Sequence, residues 1–575
     1  MSINILLCAI NAKFIHSSLA LRSLYANATE YASYIDMLEF SINNSSDFII
    51  KELYSKSPQV LCFSCYIWNI GLVKEIAGII KKISPEIKIV MGGPEVSFPP
   101  FEILGEFADI IVLGEGEGVF NELCEYFIKG MPEISKIKGI AYYWERGITV
   151  NELSPLPDLN SLVFPYKNLD GLTNKIIYYE SSRGCPFSCA YCISSITRSV
   201  RFLDIDITKE HINFFLKNKV KLIKFVDRTF NCDAERALEI WKYIIANDNN
   251  LSSFHFEIGA DLLIEEHIDL LREARPGLIQ FEMGVQSTNP NTLKEICRAS
   301  DMEKLYENVA KIKALDNIHL HLDLIAGLPF ESFNSFKKSF NDCFDLRPDM
   351  LQLGFLKLLK GSDLRLSADK YGIKYRDSAP YEVLFTNHIN FHELIKLKDV
   401  EHILEIYYNS GIFIATLEYA LKIFDTAFDF FYNFSVFWNK EGFHKMPHSR
   451  QKHYEILFQY FSGLERADIP FIKDLLKFDM FMNENVKNLP YWLPKTDYTP
   501  IIGQITGFFA NENNREMYFS KLSEYSPKQL SRICHIERFN YNILDWINFG
   551  KKEFSPNYCL FVYEKLKTKV YTIDL

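Results

Sequence analysis

Three cysteines, Cys185, Cys189 and Cys192, stand at Cys-x-x-x-Cys-x-x-Cys spacing directly after the strand-like run Ile176, Ile177, Tyr178, Tyr179. Gaps this short let one loop wrap a small inorganic centre without a long, entropically costly closure. Three is the informative number. A [4Fe–4S] cluster held by three thiolates keeps one iron open to a substrate or cofactor, whereas electron-transfer ferredoxins and structural zinc sites close at four ligands. The spacing therefore predicts chemistry at an open iron rather than a structural metal.

The flanks make the pattern more specific. Gly184-Cys185-Pro186-Phe187 and Tyr191 before the last cysteine resemble the radical S-adenosylmethionine (SAM) enzymes. The resemblance implies that the open iron binds the amino and carboxylate groups of SAM. The reduced cluster of that family cleaves SAM to methionine and a 5′-deoxyadenosyl radical.

These residues need elements to position them. Strands are expected over 176–180, 222–226, 254–258, 278–284, 319–325 and 350–354, separated by helical patterns such as 208–216, 234–245 and 302–312. Repeated β/α units of this kind suggest a partial (β/α)6 barrel, the usual architecture of the resembled family. Chemistry in such barrels sits at the carboxyl ends of the strands. At those ends stand Asp227 in Phe-Val-Asp-Arg-Thr-Phe-Asn, Glu257 in Glu-Ile-Gly-Ala-Asp, Glu282 and Gln286 in Glu-Met-Gly-Val-Gln-Ser, and Gly327 in Ala-Gly-Leu-Pro. The resemblance implies that Asp227 lies near the SAM amino group, Glu257 near the ribose and Gly327 near the adenine. Arg298, a helix downstream of Gln286, offers the planar fork that matches a carboxylate.

Residues 1–150 alternate short apolar runs (3–9, 60–64, 87–91, 109–113) with helical patterns (16–26 and a face through Leu72, Val73, Ile76, Ala77, Ile80 and Ile83). That alternation predicts a parallel, doubly wound Rossmann-like sheet. Glycine-rich turns follow two of its strands, Gly92-Gly93-Pro94-Glu95 and Gly114-Glu115-Gly116-Glu117-Gly118, where a ligand would approach the backbone. No Gly-x-Gly-x-x-Gly follows the first strand, which argues against a dinucleotide. Such a domain joined to a radical SAM core resembles the cobalamin-binding radical SAM class. The resemblance places Trp68, Gly92, Gly93, Glu95, Gly116 and Glu117 near a corrin. No Asp-x-His-x-x-Gly motif occurs, and His16 reads as a surface or packing histidine rather than a cobalt ligand. Cys62 and Cys65, three apart on an extended run, should face opposite sides of the sheet rather than form a redox pair.

A hairpin (139–144, 148–150) ends this region, and 151–175, with Pro155, Pro157 and Pro165, reads as a linker. The barrel then occupies 176–370 and a mostly helical domain of unknown role 371–575. In that last part strand signals fade, a helix is expected over 518–530, and Phe424, Phe428, Phe431 and Phe434 form an apolar stripe. A net charge of −10 gives no nucleic-acid signal, twelve cysteines fit a reducing cytoplasmic setting, and no uncharged run reaches bilayer length.

The chain is therefore read as α/β, with a [4Fe–4S] cluster, SAM and cobalamin as cofactors and flavodoxin or ferredoxin as electron donor. Methylation of an unactivated carbon is the leading activity. Radical cyclisation or oxidation of the same class, and a non-catalytic corrin- or iron–sulfur-binding role, are the alternatives. The motifs identify no substrate and no general acid or base.

Overall fold

The computed structural model describes residues 4–144, 147–522, 524–564 and 568–575. It divides into two compact units, Met1–Pro348 with Leu353–Leu394, and Asp349–Gln352 with Ile395–Leu575.

The first unit begins with β1 (Ile5–Asn11), α1 (Leu19–Asn27), β2 (Ile35–Ser41), α2 (Ser46–Ser55), β3 (Val60–Ser64), α3 (Ile70–Ile83), β4 (Lys88–Gly92), β5 (Ile110–Val112) and α4 (Glu117–Lys129). The antiparallel hairpin β6 (Ile140–Trp144) and β7 (Gly147–Val150) completes a seven-stranded sheet in the order β2-β1-β3-β4-β5-β6-β7. Strand β1 is buried along its whole length because both faces are covered. Leu6, Cys8 and Ile10 pack in one core with Ile49, Leu53, Val73 and Ile76, while Ile5, Leu7 and Ala9 pack in another with Leu21, Val119 and Phe120. Cys62 lies in the second core and Cys65 in the first, so the strand's two-residue period separates the pair.

Two differences from the sequence reading have local causes. The first helix starts at Leu19 rather than at residue 16, because Ser18 caps it by accepting from the Leu21 N–H. The pair β2 and α2 escaped notice. β2 is an edge strand whose Asp36 and Glu39 interrupt the apolar signal.

After the linker comes a second sheet, built from β8 (Ile177–Tyr179), β11 (Leu222–Phe225), β12 (Ser253–Ile258), β13 (Ile279–Gln286), β14 (His319–Ala326) and β15 (Met350–Phe355). Between β8 and β11 a two-residue ribbon, β9 (Ser182–Arg183) with β10 (Arg201–Phe202), forms the neck of the cysteine loop. Helices α5 (Ile205–Lys217), α6 (Ala234–Ala246), α7 (Glu265–Leu271), α8 (Pro290–Glu295), α9 (Met302–Ala314) and α10 (Phe333–Asp345) fill the crossovers. The strands run in chain order, β8-β11-β12-β13-β14-β15, which is the six-unit barrel arrangement that the alternation predicts.

This barrel is polar inside. Alternate residues of β12 and β13 are fully buried and partly accessible. Ile223, Phe225, Phe254, Phe256, Phe281, Leu320 and Leu322 are wholly buried. The intervening positions are Lys224, His255, Glu257, Glu282, His321 and Asp323. A closed barrel of this size is ordinarily filled with branched apolar side chains. Here the apolar faces meet the helices, and the lumen is left for ligands.

The second unit contains buried helices and, contrary to the expectation of fading strand signals, a three-stranded antiparallel sheet of Cys534–Tyr541, Phe554–Tyr563 and Thr568–Ile573. The expected helix over 518–530 is two helices: Glu512–Phe519, and Pro527–Ile533 started by a Ser526/Gln529 capping box. The phenylalanine stripe is core, with Phe428, Phe431 and Phe434 essentially inaccessible.

Asp479 of this unit is buried and accepts from Ala415 N (2.9 Å), Thr416 N (3.0 Å) and Thr416 Oγ1 (2.6 Å) at the start of the helix Ile414–Ile423. Burial outweighs those bonds and pushes its carboxyl up from 3.8 to about 7. The folded chain therefore holds this proton more tightly than the unfolded one. Its contribution to stability is full below pH 3.8 and is lost as pH rises through about 7. Amide-exchange protection at Ala415 and Thr416 should fall across that window, and Asp479→Asn should flatten the fall. An identical slope in the variant would show that another group titrates. Among the described residues no helix is long and apolar enough to cross a membrane.

Candidate functional site

The cysteine loop spans residues 184–200. Its first residue, Gly184, has φ +99°, and a Cβ there would lie 2.1 Å from the Ser199 carbonyl oxygen, so the loop closes only on glycine. Cys185, Cys189 and Cys192 are all free thiols and line one cavity of about 200 Å3 at the carboxyl ends of the barrel strands. Cys185 Sγ lies 3.8 Å from Thr229 Oγ1, Cys189 Sγ 3.9 Å from Arg298 Nη1, and Cys192 Sγ accepts from Ser194 N at 3.4 Å. Burial pushes the Cys189 thiol up, and the Arg298 charge opposes it. A three-thiol set on one loop, converging on one cavity, suits a cluster with an open iron.

Of the residues expected around SAM, the same cavity gathers Glu257, Glu282, Gln286 and Arg298. Gln286 ends β13 in a left-handed conformation (φ +71°), a strained state for a side-chain-bearing residue of the kind found at ligand sites. Its Oε1 and the Arg298 Nε are buried without a hydrogen-bond partner, an acceptor and a donor that a polar ligand would satisfy. Gly284 makes room for the Gln286 side chain, since a Cβ there would overlap Gln286 Nε2. Arg298 itself donates to the Gly284 carbonyl.

Two expected SAM residues stand elsewhere. Asp227 does not line the cavity. It is buried behind the cysteine loop, accepting from Ser181 N (3.0 Å), Ser181 Oγ (2.7 Å) and Ser182 Oγ (2.6 Å). Gly327 (φ +90°) packs against Val383, whose Cγ1 would be 2.7 Å from an added Cβ. Arg228, Thr229, Asp261 and Asp323, which stand in the same strand-end segments as the expected residues, line the cavity as well. Asp323 was detectable, because it follows His321 by two residues and shares its inward face.

Beneath the cavity the lumen charges are paired. Lys224 Nζ lies 2.8 Å from Glu282 Oε2 and 3.8 Å from Glu257 Oε1, and His255 Nε2 is 2.9 Å from Glu282 Oε2. His321 Nε2 is 3.0 Å from Asp323 Oδ1. Burial alone would raise the Glu282 carboxyl, but His255 and Lys224 outweigh it and hold the group well below the usual range. Glu257 is raised, first by burial and then by the Glu282 charge. Asp323 is raised mainly by burial, against the nearby His321 imidazole, whose Nε2 faces Asp323 Oδ1 without hydrogen-bond geometry. The donor atoms of Glu282, His321 and Asp323 lie within 4.8 Å of one another, and Lys224 supplies the neighbouring cation.

In the N-terminal sheet the order β2-β1-β3-β4-β5 puts the topological switch point between β1 and β3, where sheets of this order bind cofactors. The loops there expose apolar rings: Phe14 is 75% and Trp68 45% accessible. Trp68 stacks on Tyr66 (4.4 Å between centroids, 5° between planes) and donates to the Ile10 carbonyl at 3.1 Å. Gly93 (φ +107°) brings its backbone against Cys65, whose carbonyl oxygen would be 2.6 Å from a Cβ. An apolar shelf with close backbone approach suits a large, flat, mostly apolar ring such as a corrin.

The remaining residues expected around the corrin are turned into the chain. Gly92 makes only an ordinary contact with Val112. Glu95 accepts from Tyr381 Oη at 2.8 Å and is buried. Gly116 is the N-cap of α4 and packs on Leu24, and Glu117 pairs with Arg183 Nη2 at 2.5 Å. Burial would raise the Glu117 carboxyl, but the Arg183 hydrogen bond and charge hold it below the usual range.

Three families match stretches of the chain. Residues 5–124 match the B12 binding domain family, residues 179–343 the radical SAM superfamily, and residues 369–561 a family of unknown function, DUF4080. The 2-(S-pantetheinyl)-carbapenam-3-carboxylate methyltransferase of Streptantibioticus cattleyicolor is 28% identical over 313 residues, which cover 49% of this chain and 44% of that protein. The anaerobic magnesium-protoporphyrin IX monomethyl ester cyclase of Rubrivivax gelatinosus is 23% identical over 57% of this chain and 61% of its own length. The chain thus spans about half the length of the curated relatives it matches. Among solved structures, the cobalamin-dependent SAM radical enzyme OxsB, with aqua-cobalamin and SAM bound, superposes with a TM-score of 0.56 at 16% identity, covering 83% of this chain and 79% of that one. That likeness is one of fold.

Proposed function

We infer that this chain, which joins a B12-binding domain to a radical SAM domain, is a cobalamin-dependent radical SAM enzyme that methylates an unactivated carbon of a polar substrate. One observation carries the reading: three free thiols close a single cavity whose other walls hold unsatisfied polar atoms of Gln286 and Arg298. Cys185, Cys189 and Cys192 would hold a [4Fe–4S] cluster, and Glu257, Gln286 and Arg298 would hold SAM. The shelf of Trp68 and Gly93 would hold cobalamin. When bound, these groups supply reductive cleavage of SAM and a methyl carrier.

The chain's own task is orientation. Gly184 and the β9–β10 neck fix the cysteine loop, Asp227 ties it to the end of β11, and the paired lumen charges hold polar contacts ready for the acceptor molecule. An apolar acceptor would have to desolvate Asp323 without repaying it, so the lumen selects for a hydrogen-bonding substrate. The methyltransferase among the relatives supports methylation, and the cyclase supports ring formation as the second reading. The electron donor would be a flavodoxin or ferredoxin, and the free thiols suit a reducing cytoplasm.

The test is anaerobic incubation of the reconstituted chain with SAM, hydroxocobalamin, a chemical reductant and candidate polar acceptors. Production of both S-adenosylhomocysteine and 5′-deoxyadenosine is the expected result. 5′-Deoxyadenosine alone would replace methylation by cyclisation or oxidation. Neither product from a chain loaded with both cofactors would leave a non-catalytic binding protein.

A further inference from the structure

The cysteine loop is gripped at both ends by one carboxylate of the B12-binding domain. Its neck pairs Arg183 with Arg201 across the β9–β10 ribbon. Arg183 Nη1 lies 2.6 Å from Glu115 Oε2, and Arg201 Nη2 contacts the other oxygen, Glu115 Oε1. Arg183 also reaches Glu117 and, through Nε, Glu180 at 2.8 Å, while Ser23 Oγ donates to Glu117 at 2.9 Å. Glu115 sits in the glycine-rich turn between β5 and α4, on the cofactor edge of the N-terminal sheet. The arginine side chains are 15% and 22% exposed, and those of Glu115 and Glu117 22% and 8%.

Desolvated ion pairs of this kind add little stability over apolar packing of the same volume, but their geometry fixes register. The register fixed here is between the loop that carries the thiols and the turn after β5, which leaves the N-terminal sheet from the same edge as the corrin shelf. A second, separate strap holds the same two regions. Leu364 N donates to the Ala190 carbonyl within the cysteine loop at 2.8 Å, and Tyr381 Oη and Lys360 Nζ bind Glu95 on the N-terminal sheet.

We propose that Glu115, with Arg183 and Arg201, couples corrin binding on the N-terminal sheet to placement of the cluster loop, so that each cofactor is held more tightly when the other is present. Arg183, Arg201 and Glu115 are positioning residues in this scheme, since none of them holds iron. The inference rests on the functional reading above. Linkage makes the effect reciprocal, and couplings of this sort run from about 5-fold to 150-fold in affinity.

The experiment titrates hydroxocobalamin into the full chain with its cluster reconstituted and, separately, after anaerobic removal of iron, and compares the two Kd values. The wild type should show a ratio of at least about 5, and Glu115→Gln a ratio near 1. Glu115→Gln keeps the shape of the side chain, and the Arg183–Glu117 pair and the second strap remain to hold the fold. A purely structural role would weaken both Kd values alike and leave the ratio unchanged, which would overturn the proposal, as would a wild-type ratio of 1. Arg201→Gln repeats the test from the loop side should Glu115→Gln lower the Tm, and Arg201→Lys, keeping the charge, should recover part of the ratio. If neither form of the wild type binds hydroxocobalamin, the corrin reading itself fails. If both bind with equal affinity, only the coupling fails.

Discussion

Replacing Cys185, Cys189 and Cys192 together with alanine should reduce bound iron and 5′-deoxyadenosine formation to background while the chain stays folded. The three Sγ atoms are the cysteine thiols that line the cavity; Cys232, close enough to Cys185 for the two charges to interact, and Cys297, next to Arg298, are not among its lining residues. Cys62 and Cys65 lie in separate cores of the N-terminal sheet, and burial pushes both thiols far up, away from the thiolate form that iron requires. A Cys62→Ala/Cys65→Ala double variant is therefore the matched control and should keep its full iron content. Folding should survive the triple change because the loop's neck does not depend on the thiols. It is set by the β9–β10 ribbon, by Gly184 and by Arg183 on Glu115 and Glu117. Iron per chain by colorimetric assay and Tm by circular dichroism separate the two effects. Wild-type iron in the triple variant would sink the cluster assignment. A collapsed Tm with lost iron would instead make the thiols part of the loop's packing.

The barrel was legible in the sequence because its strands carry two signals at once. Period-two burial in Phe254-His255-Phe256-Glu257-Ile258 marks the strand, and the polar half of that alternation marks the ligand face. The thiol spacing was legible for a similar reason, since it lies within one loop and needs no tertiary information. What escaped depended on direction rather than level. Strand-end position placed Asp227 and Gly327 at the right height in the barrel, but adjacent residues at a strand end face opposite ways. Asp227 turns back to Ser181 and Ser182, while Arg228 lines the cavity. Glu95 and Glu117 show the same limit. Their turns lie on the cofactor edge, yet Tyr381 and Arg183, distant in sequence, claim the carboxylates. Edge strand β2 and the C-terminal sheet were missed because interrupted or short apolar runs carry little strand signal without their partners.

Asp227→Ala should be the most damaging single change at the site outside the cysteines, and the contrast with Asp227→Asn decides what this carboxylate does. Its two oxygens accept three hydrogen bonds from Ser181 and Ser182, the residues that lead into the cysteine loop, in a place sealed from water. Burial pushes its carboxyl up, and the serine hydrogen bonds oppose that rise. Alanine removes every acceptor and leaves the Ser181 N–H and two hydroxyls unpaired, at about 1–3 kcal/mol for each group that finds no other partner. Asparagine can still accept from Ser181 N, and the two serine hydroxyls can rotate to accept from its amide. The expected order in Tm and in reconstituted iron is therefore wild type, then Asn close behind, then Ala well below. A carboxylate that instead bound the SAM ammonium by charge would give another pattern: Asn and Ala would lose SAM affinity equally, with iron and Tm intact. SAM binding by calorimetry, alongside iron content and Tm, tells the two apart. The buried geometry favours the first, because this carboxylate already accepts three hydrogen bonds from Ser181 and Ser182 and is not among the residues that line the cavity.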